Sequence, residues 1–328
     1  MAEPILYLTE ADVQKTLTVA EAVDLAEKGI KADAAGDVAG NKFYMDVGEN
    51  GFIKPFSGYM LDEKLAFVKT FSFFPNNPER FDCGTTSSMV LLFDAENGLP
   101  VCLMDGGWVT ALKTGASTAV TTAYLARSDA ATVTIFGAGT LGRMHLRAMA
   151  CRFDLKQAYI LDVLPQVAEA YVAELQPEFD FPIEAVPVQD RERVVRAADV
   201  VYTVTTGNLP VVERAWLRPG AFVARLGSYQ EVTLDVITEV DKVIVDDWRY
   251  VSPRIPEIKT LIAEQGFSLD DVYAEWPDIV GERKPGRESP DEVITYIALG
   301  IWGEYAAILP EVYRRAQELG LGHRLPQA

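Results

Sequence analysis

Histidine and cysteine are scarce in this chain: His145 and His323 are its two histidines, and Cys83, Cys102 and Cys151 its three cysteines. Two histidines make a Ser-His-Asp site or a multi-histidine metal site improbable, so no metal is expected. An odd number of cysteines without metal-site spacing reads as buried thiols, not as a disulfide frame. No stretch of about 18 uncharged apolar residues occurs, which argues against a membrane span. Basic residues are the minority, 30 Lys and Arg against 48 Asp and Glu, a net charge of −18. Nucleic acid and anionic membrane are thus poor partners. The opening, MAEPILYLTE, lacks the basic and long apolar parts of a signal peptide, so the cytoplasm is the expected location. Internal repeats and low-complexity segments are absent too.

What is present suits a globular protein: 328 residues, 49% of them hydrophobic, and a mean hydropathy of +0.06. That length buries a substantial core and calls for two domains. The chain is organised around residues 132–162. Val133, Ile135 and Phe136 belong to an apolar run of the kind that forms a buried parallel strand. Gly137-Ala138-Gly139-Thr140-Leu141-Gly142 follows as G-x-G-x-x-G and opens a helical stretch with Leu141, Met144, Leu146 and Met149. A second apolar run, Ala158-Tyr159-Ile160-Leu161, ends on Asp162, 20 residues past Gly142. This order is the fingerprint of a dinucleotide site, the alternative being a glycine turn with no ligand. The first glycine allows the tight turn, the second admits a pyrophosphate, and the third lets the helix pack on the strand. The helix N-terminus offers N–H groups to the phosphates. A carboxylate at Asp162 binds both ribose hydroxyls and repels a 2′-phosphate. NAD(H) is therefore preferred, with NADP(H) the second candidate.

Ahead of this unit, Thr18-x-x-Glu21 is a capping box that opens a helix with Val23, Ala26 and Ile30 on one face, ending near Gly36. Lys42–Val47, Gly51–Met60, Leu65–Phe73 and Ser88–Asp94 read as strands, and Asn97-Gly98 turns into a returning strand, Pro100–Met104. Residues 40–105 thus form a mixed sheet of meandering strands. Val109–Arg127 reads as a helix of small residues, Thr110, Lys113, Thr114, Ser117 and Thr118 among them. After the glycine turn, Ile183–Val188, Val200–Val204, Phe222–Leu226 and Val243–Val245 alternate with helices, as in a doubly wound, mostly parallel sheet. Thr205 and Thr206 follow one of these strands, where ligands lie. They either face the nicotinamide ribose or form a plain loop. Ser289-Pro290-Asp291-Glu292 reads as a capping box opening a helix to about Ala307, followed by a last helix, Pro310–Leu319, stopped by Gly320. The charged loop Gly281–Pro290 is expected to be mobile.

Several segments, in order, resemble the ornithine cyclodeaminase/mu-crystallin family. They are Leu6-Tyr7-Leu8-Thr9 through Gly36, Phe67-Val68-Lys69 with Phe74-Pro75-Asn76-Asn77, and Val90-Leu91-Leu92-Phe93-Asp94 with Gly98-Leu99-Pro100. Thr110-Ala111-Leu112-Lys113-Thr114-Gly115-Ala116 and Pro285-Gly286-Arg287-Glu288-Ser289 complete the set. The resemblance implies an α/β protein with a Rossmann-type doubly wound parallel sheet at residues 128–304. Residues 1–127 plus 305–328 would form an α+β substrate-binding and dimerisation domain. It implies a homodimer acting on a small amino or imino acid with a nicotinamide cofactor.

Within that resemblance Lys69 matches the family's active-site lysine, the alternative being a solvated strand lysine. Lys42 and Lys113 stand where the family has arginine, keeping the charge without the bidentate grip. Lys113 also reads as a plain helix lysine. Asn76 joins them as a substrate-binding candidate, and Thr114 and Gly227 as cofactor-binding candidates. The cyclodeaminases carry an aspartate after the strand here formed by Phe222–Leu226. This chain has Gly227-Ser228-Tyr229-Gln230-Glu231, so Tyr229 or Gln230 takes the place. Tyr229 is then either a hydrogen-bond or proton donor or a packed loop residue. The expected activity is an NAD(P)H-dependent imine reductase or amino acid dehydrogenase. Ornithine cyclodeamination with bound NAD, or cofactor binding with little catalysis, are the alternatives.

Overall fold

The computed structural model describes residues 4–48 and 51–326. The first three residues of the opening and the last two of the C-terminal segment, both interpreted above, lie outside the described residues. The chain divides into two units, Met1–Ser117 with Trp302–Ala328, and Thr118–Ile301.

In the first unit the strands are β1 (Ile5–Leu8), β2 (Val38–Lys42), β3 (Met45–Asp46), β4 (Phe52–Met60), β5 (Leu65–Phe73), β6 (Thr86–Asp94) and β7 (Pro100–Asp105). A last strand, His323–Leu325, pairs antiparallel with β1. The meander β4-β5-β6-β7 is antiparallel, while β1 adds parallel to β7. The mixed sheet expected of residues 40–105 is therefore corrected: these strands pair only antiparallel, and the sheet becomes mixed through β1, which lies outside that stretch. The helix Val19–Ala35 begins with the reciprocal Thr18/Glu21 capping box and ends at Gly36 in the left-handed region. It buries Val23, Ala26 and Ile30 and packs against the helix Gly303–Glu318. The helix Gly107–Leu125 runs out of this unit into the next.

In the second unit the strands are β8 (Thr132–Phe136), β9 (Gln157–Leu161), β10 (Ile183–Ala185), β11 (Val200–Thr203), β12 (Phe222–Arg225), β13 (Lys242–Val245), β14 (Ala274–Glu275) and β15 (Ile294–Ile297). Their order is β10-β9-β8-β11-β12-β15-β13-β14. Each pairing among the described residues is parallel. β8, β11, β12, β13 and β15 are almost entirely buried, because helices cover both faces of such a sheet. Val201, Val223, Val245 and Ile297 lie in one apolar layer with Val236, Ile258 and Leu261.

Further expectations are corrected. Lys42–Val47 is not one strand: β2 ends at Lys42 and the short β3 begins at Met45. Ser289–Ala307 is not a helix but a turn followed by β15, inserted between β12 and β13. The run Ile294-Thr295-Tyr296-Ile297 is β-branched and aromatic, and ladder bonds on both sides outweigh the capping pattern. The capping residues close a local turn instead, with Glu288 N donating to Glu292 at 2.8 Å and Asp291 N to Ser289 at 3.3 Å. The last helix starts at Gly303, so Pro310 lies inside it. The loop Gly281–Pro290 is tied down: Arg287 Nε donates to Leu125 O at 2.9 Å, and Lys242 Nζ to Gly286 O at 2.6 Å. Of the cysteines, Cys102 is buried, with burial pushing its thiol up to about 12, whereas Cys83 and Cys151 are exposed.

Candidate active site

The turn after β8 has the geometry its glycines require. Gly137 has φ +104°, and a Cβ there would stand 2.6 Å from Val204 O. A Cβ on Gly142 would stand 2.0 Å from Gly137 O, so this glycine sets how closely helix and strand approach. A Cβ on Gly139 would meet no described non-neighbouring atom within 4 Å, so this glycine faces open space. The helix Thr140–Ala150 has Gly139 at its N-cap and no side-chain cap, so the first N–H groups of the helix, at Thr140 and Leu141, suit an anion, while the Ala138 N–H is taken by Asp162.

Asp162 closes the turn from the next strand. Its Oδ2 accepts from Ala138 N at 2.9 Å and its Oδ1 from Leu164 N at 3.0 Å. A carboxylate has about four lone-pair sites, so acceptor capacity remains. Asp162 opens onto a cleft of about 260 Å³ lined also by Val163, Pro165, Glu169, Pro187 and Gln189. Among the described residues, no lysine or arginine lines it.

β8, β11 and β12 are parallel neighbours, so the loops after them leave one edge of the sheet. There the structure gathers Thr205 and Gly227, but around a residue the sequence did not single out. Glu231, fully buried, accepts from Thr205 N (2.6 Å) and Thr205 Oγ1 (2.9 Å) on Oε1. Its Oε2 accepts from Gly227 N (2.7 Å) and Thr203 Oγ1 (2.8 Å). Glu257 Oε1 accepts from Glu231 N at 2.8 Å, and its Oε2 meets Arg225 at 3.0 Å with both side chains buried. Arg225 also donates to the carbonyls of Gly227 and Tyr229. Tyr229 is half-buried, and Thr206 is exposed beside this cluster.

The lysines belong to the first unit. Phe56 on β4 lies directly opposite Lys42 on β2 and Lys69 on β5. Lys54 lies opposite Phe71. Directly opposed residues, and residues two apart on a strand, share a face, so these five side chains form one ladder. Lys42 Nζ stands 5.4 Å from the Phe56 ring centroid, and Lys54 Nζ stands 5.1 Å from Phe56 and 5.4 Å from Phe71. Lys69 Nζ stands 5.1 Å from Phe71 and 5.2 Å from Tyr305, and Lys113 Nζ 4.9 Å from Tyr305. Lys69 is 2% exposed. Burial, reinforced by the Lys113 charge, lowers its ammonium to about 7. Lys113 lies 3.6 Å from Glu304, which also accepts from Ser117 at 2.6 Å. Glu304 is 1% exposed, and its Oε2 has no hydrogen-bond partner among the described residues. The aromatic faces offset part of the cost of these poorly hydrated ammonium groups, and a carboxylate brought beside them would favour their charged form.

Two expected site residues stand apart from this ladder. Asn76 is exposed at the start of the short helix Asn77–Phe81. Thr114 Oγ1 donates to Thr110 O within its own helix at 2.7 Å. Lys54, Tyr305, Glu304, Glu231, Arg225 and Glu257 join the site from the structure and were not among the residues expected from the sequence. The Lys54-x-Phe56 and Lys69-x-Phe71 alternation was a usable signal for the ladder. Glu257, 32 residues from Arg225, left none.

A parallel sheet with this strand order, a glycine turn and an acid after the second strand defines a Rossmann-type dinucleotide-binding protein. The chain belongs to the ornithine cyclodeaminase/mu-crystallin family, whose pattern matches residues 5–320. It is 26% identical to the alanine dehydrogenase of Archaeoglobus fulgidus over 98% of both chains. It is 28% identical to the N-((2S)-2-amino-2-carboxyethyl)-L-glutamate dehydrogenase of Staphylococcus aureus, over 76% of this chain and 74% of that protein. Among solved structures, the Thermococcus litoralis Δ1-pyrroline-2-carboxylate reductase in complex with NADH and L-proline superposes with TM-score 0.92. It is 27% identical, covering 97% of this chain and 99% of that one.

Proposed function

We propose that the chain is an NAD(H)-dependent oxidoreductase that interconverts a small amino acid and its 2-imino or 2-oxo form. The observation that carries this reading is the buried Lys69 ammonium beside Lys113 on the Tyr305 ring. A cation so placed is costly unless an anion joins it. The substrate carboxylate is that anion, with Lys42 as a further cation of the ladder. With its ammonium lowered to about 7, Lys69 also exchanges a proton readily at neutral pH, which suits an imine nitrogen. The second unit fits the cofactor. Gly137–Gly142 would hold the pyrophosphate and Asp162 the adenosine ribose, and the cleft beside Asp162 has no cation for a 2′-phosphate. Reduced nicotinamide, when bound, supplies the hydride. The named activities of the relatives, a dehydrogenase of alanine and a reductase of a cyclic imine among them, support the same reaction type.

Redox-neutral cyclodeamination would call on a carboxylate in the loop after β12. Glu231 there has both oxygens engaged by Thr203, Thr205 and Gly227, which favours simple hydride transfer. The partner we propose besides the substrate is a second copy of the chain. Phe43 (60% exposed), Met45 (47%) and Val68 (40%) give the first unit's sheet an apolar surface that a homodimer would cover. Cys83, an exposed cysteine without a disulfide, suits the reducing cytoplasm.

The test is the near-ultraviolet absorbance of NADH with 2-oxo acids plus ammonia or methylamine, with cyclic imino acids, and with ornithine. Net NADH consumption is expected with an imine. Proline and ammonia from ornithine without net NADH change would replace this reading by cyclodeamination. Cofactor binding without turnover would leave a binding protein.

A further inference from the structure

We propose that Glu231 is a positioning residue for the nicotinamide half of the cofactor site. This inference rests on the cofactor reading above. The sheet order places β8, β9 and β10 on one side of the switch between β8 and β11, and β11 and β12 on the other. In a doubly wound sheet each half receives one mononucleotide. Asp162, after β9, belongs to the adenosine half. The loops after β11 and β12 then receive the nicotinamide mononucleotide.

Those two loops are tied together by one side chain. Each oxygen of Glu231 takes one backbone N–H and one hydroxyl: Thr205 N and Oγ1 on Oε1, Gly227 N and Thr203 Oγ1 on Oε2. The main chain that carries this carboxylate is itself held, since Glu231 N donates to Glu257, the ion-pair partner of Arg225. Gly227 is the residue that admits it, because a Cβ there would stand 2.5 Å from Glu231 Cδ. Burying a carboxylate is costly unless its hydrogen bonds are complete, and here they are. The cluster sits at the ligand edge of the sheet rather than in its apolar layer. There it fixes the height of Thr205 and Gly227 relative to each other. Hydride transfer is sensitive to such placement.

The substitution Glu231→Gln tests this. A glutamine has one oxygen and one NH2 group, and both backbone N–H groups of Thr205 and Gly227 are fixed donors. One of them must face the NH2. NADH and ADP-ribose are titrated in turn, ADP-ribose lacking the nicotinamide. The expected result is an NADH affinity lowered about tenfold or more, the scale of one buried donor left unpaired. ADP-ribose affinity stays within about twofold, since no atom of the adenosine half changes. The fluorescence of bound NADH should shift as its ring environment loosens, and kcat should fall more than KM rises. Gly227→Ala, which displaces the same carboxylate, should show the same split. Equal weakening of both ligands, no change in either, or unfolding of both variants would make Glu231 a stability residue and overturn the proposal. Failure of the unaltered protein to bind NADH would overturn the cofactor reading first.

Discussion

Lys69 and Lys113 face the same ring, their ammonium groups 5.2 Å and 4.9 Å from the Tyr305 centroid. Lys113 has Glu304 at 3.6 Å, whereas burial and the Lys113 charge together lower Lys69 to about 7. A lysine that must be charged to hold a carboxylate therefore titrates within the working range. In the reductive direction kcat/KM should fall above about pH 7, and Lys113→Met should move that inflection upward by removing the neighbouring charge. An inflection unmoved in Lys113→Met would separate the two lysines.

The same titration has a stability counterpart. Between about 7 and 10.5 the unfolded chain keeps a proton on Lys69 that the folded chain has lost. The unfolded state then binds more protons, so stability rises with pH across that window. Lys69→Met should remove this rise and be more stable than the unaltered protein near pH 7. Urea unfolding at several pH values checks it, and parallel pH dependences in the two proteins would refute it.

Substitutions at the two lysines should divide their labour. On the role proposed for Lys69, Lys69→Ala should lower kcat about 30-fold or more, since position and proton exchange at the nitrogen would be lost in the transition state. Lys113→Ala should mainly raise KM, since it leaves the substrate anion less well paired. Lys113→Arg would offer a bidentate grip on a carboxylate in place of a point charge and should improve binding of simple amino acids. None of the three touches the Gly137–Gly142 turn, so NADH affinity should hold. Near-normal turnover in Lys69→Ala would turn attention to Tyr229.

The buried pair Arg225–Glu257 predicts a stability effect of a different size. Breaking one side leaves a buried charge unpaired, at a cost of about 3–5 kcal/mol. Glu257→Gln also weakens the acceptor for Glu231 N and Val232 N. The double variant Arg225→Met/Glu257→Leu, which removes both charges, should recover part of the loss. Denaturant midpoints of the three proteins decide. A double variant no more stable than Glu257→Gln would show that the hydrogen bonds, not the unpaired charge, carry the cost.

The parts of this fold written in local chemistry were legible in the sequence. The β8 run, the glycine turn and Asp162 lie within about 30 consecutive residues, and each has its own physical requirement. The Thr18/Glu21 box and the Asn97-Gly98 turn are equally local. The segment 289–310 misled because a good capping pattern preceded β-branched residues whose partners, β12 and β13, are about 50–70 residues away. That misreading also hid Glu304 and Tyr305. The Glu231 cluster joins Thr203, Gly227 and Glu257, whose spacing follows neither helix nor strand period. Only the fold brings them together.

Cofactor choice provides the last test. Asp162 bonds Ala138 N through one oxygen and Leu164 N through the other, so its carboxylate is fixed at the end of β9. A ribose 2′-hydroxyl can donate to it, whereas a 2′-phosphate would meet like charge. Glu169 lines the same cleft and adds a second negative group, while Val163, 80% exposed, contributes no cation. NADH should therefore bind at least about tenfold more tightly than NADPH, the difference widening at low ionic strength, where screening is weakest. Asp162→Ala should weaken NADH and narrow the gap, but it also leaves Ala138 N without its acceptor, which loosens the turn for both cofactors. Asp162→Ser keeps a short acceptor without the charge and isolates the electrostatic part. Titration of each protein with both cofactors at two salt concentrations gives the ratios. Equal affinities for NADH and NADPH in the unaltered protein, independent of salt, would remove Asp162 from cofactor selection.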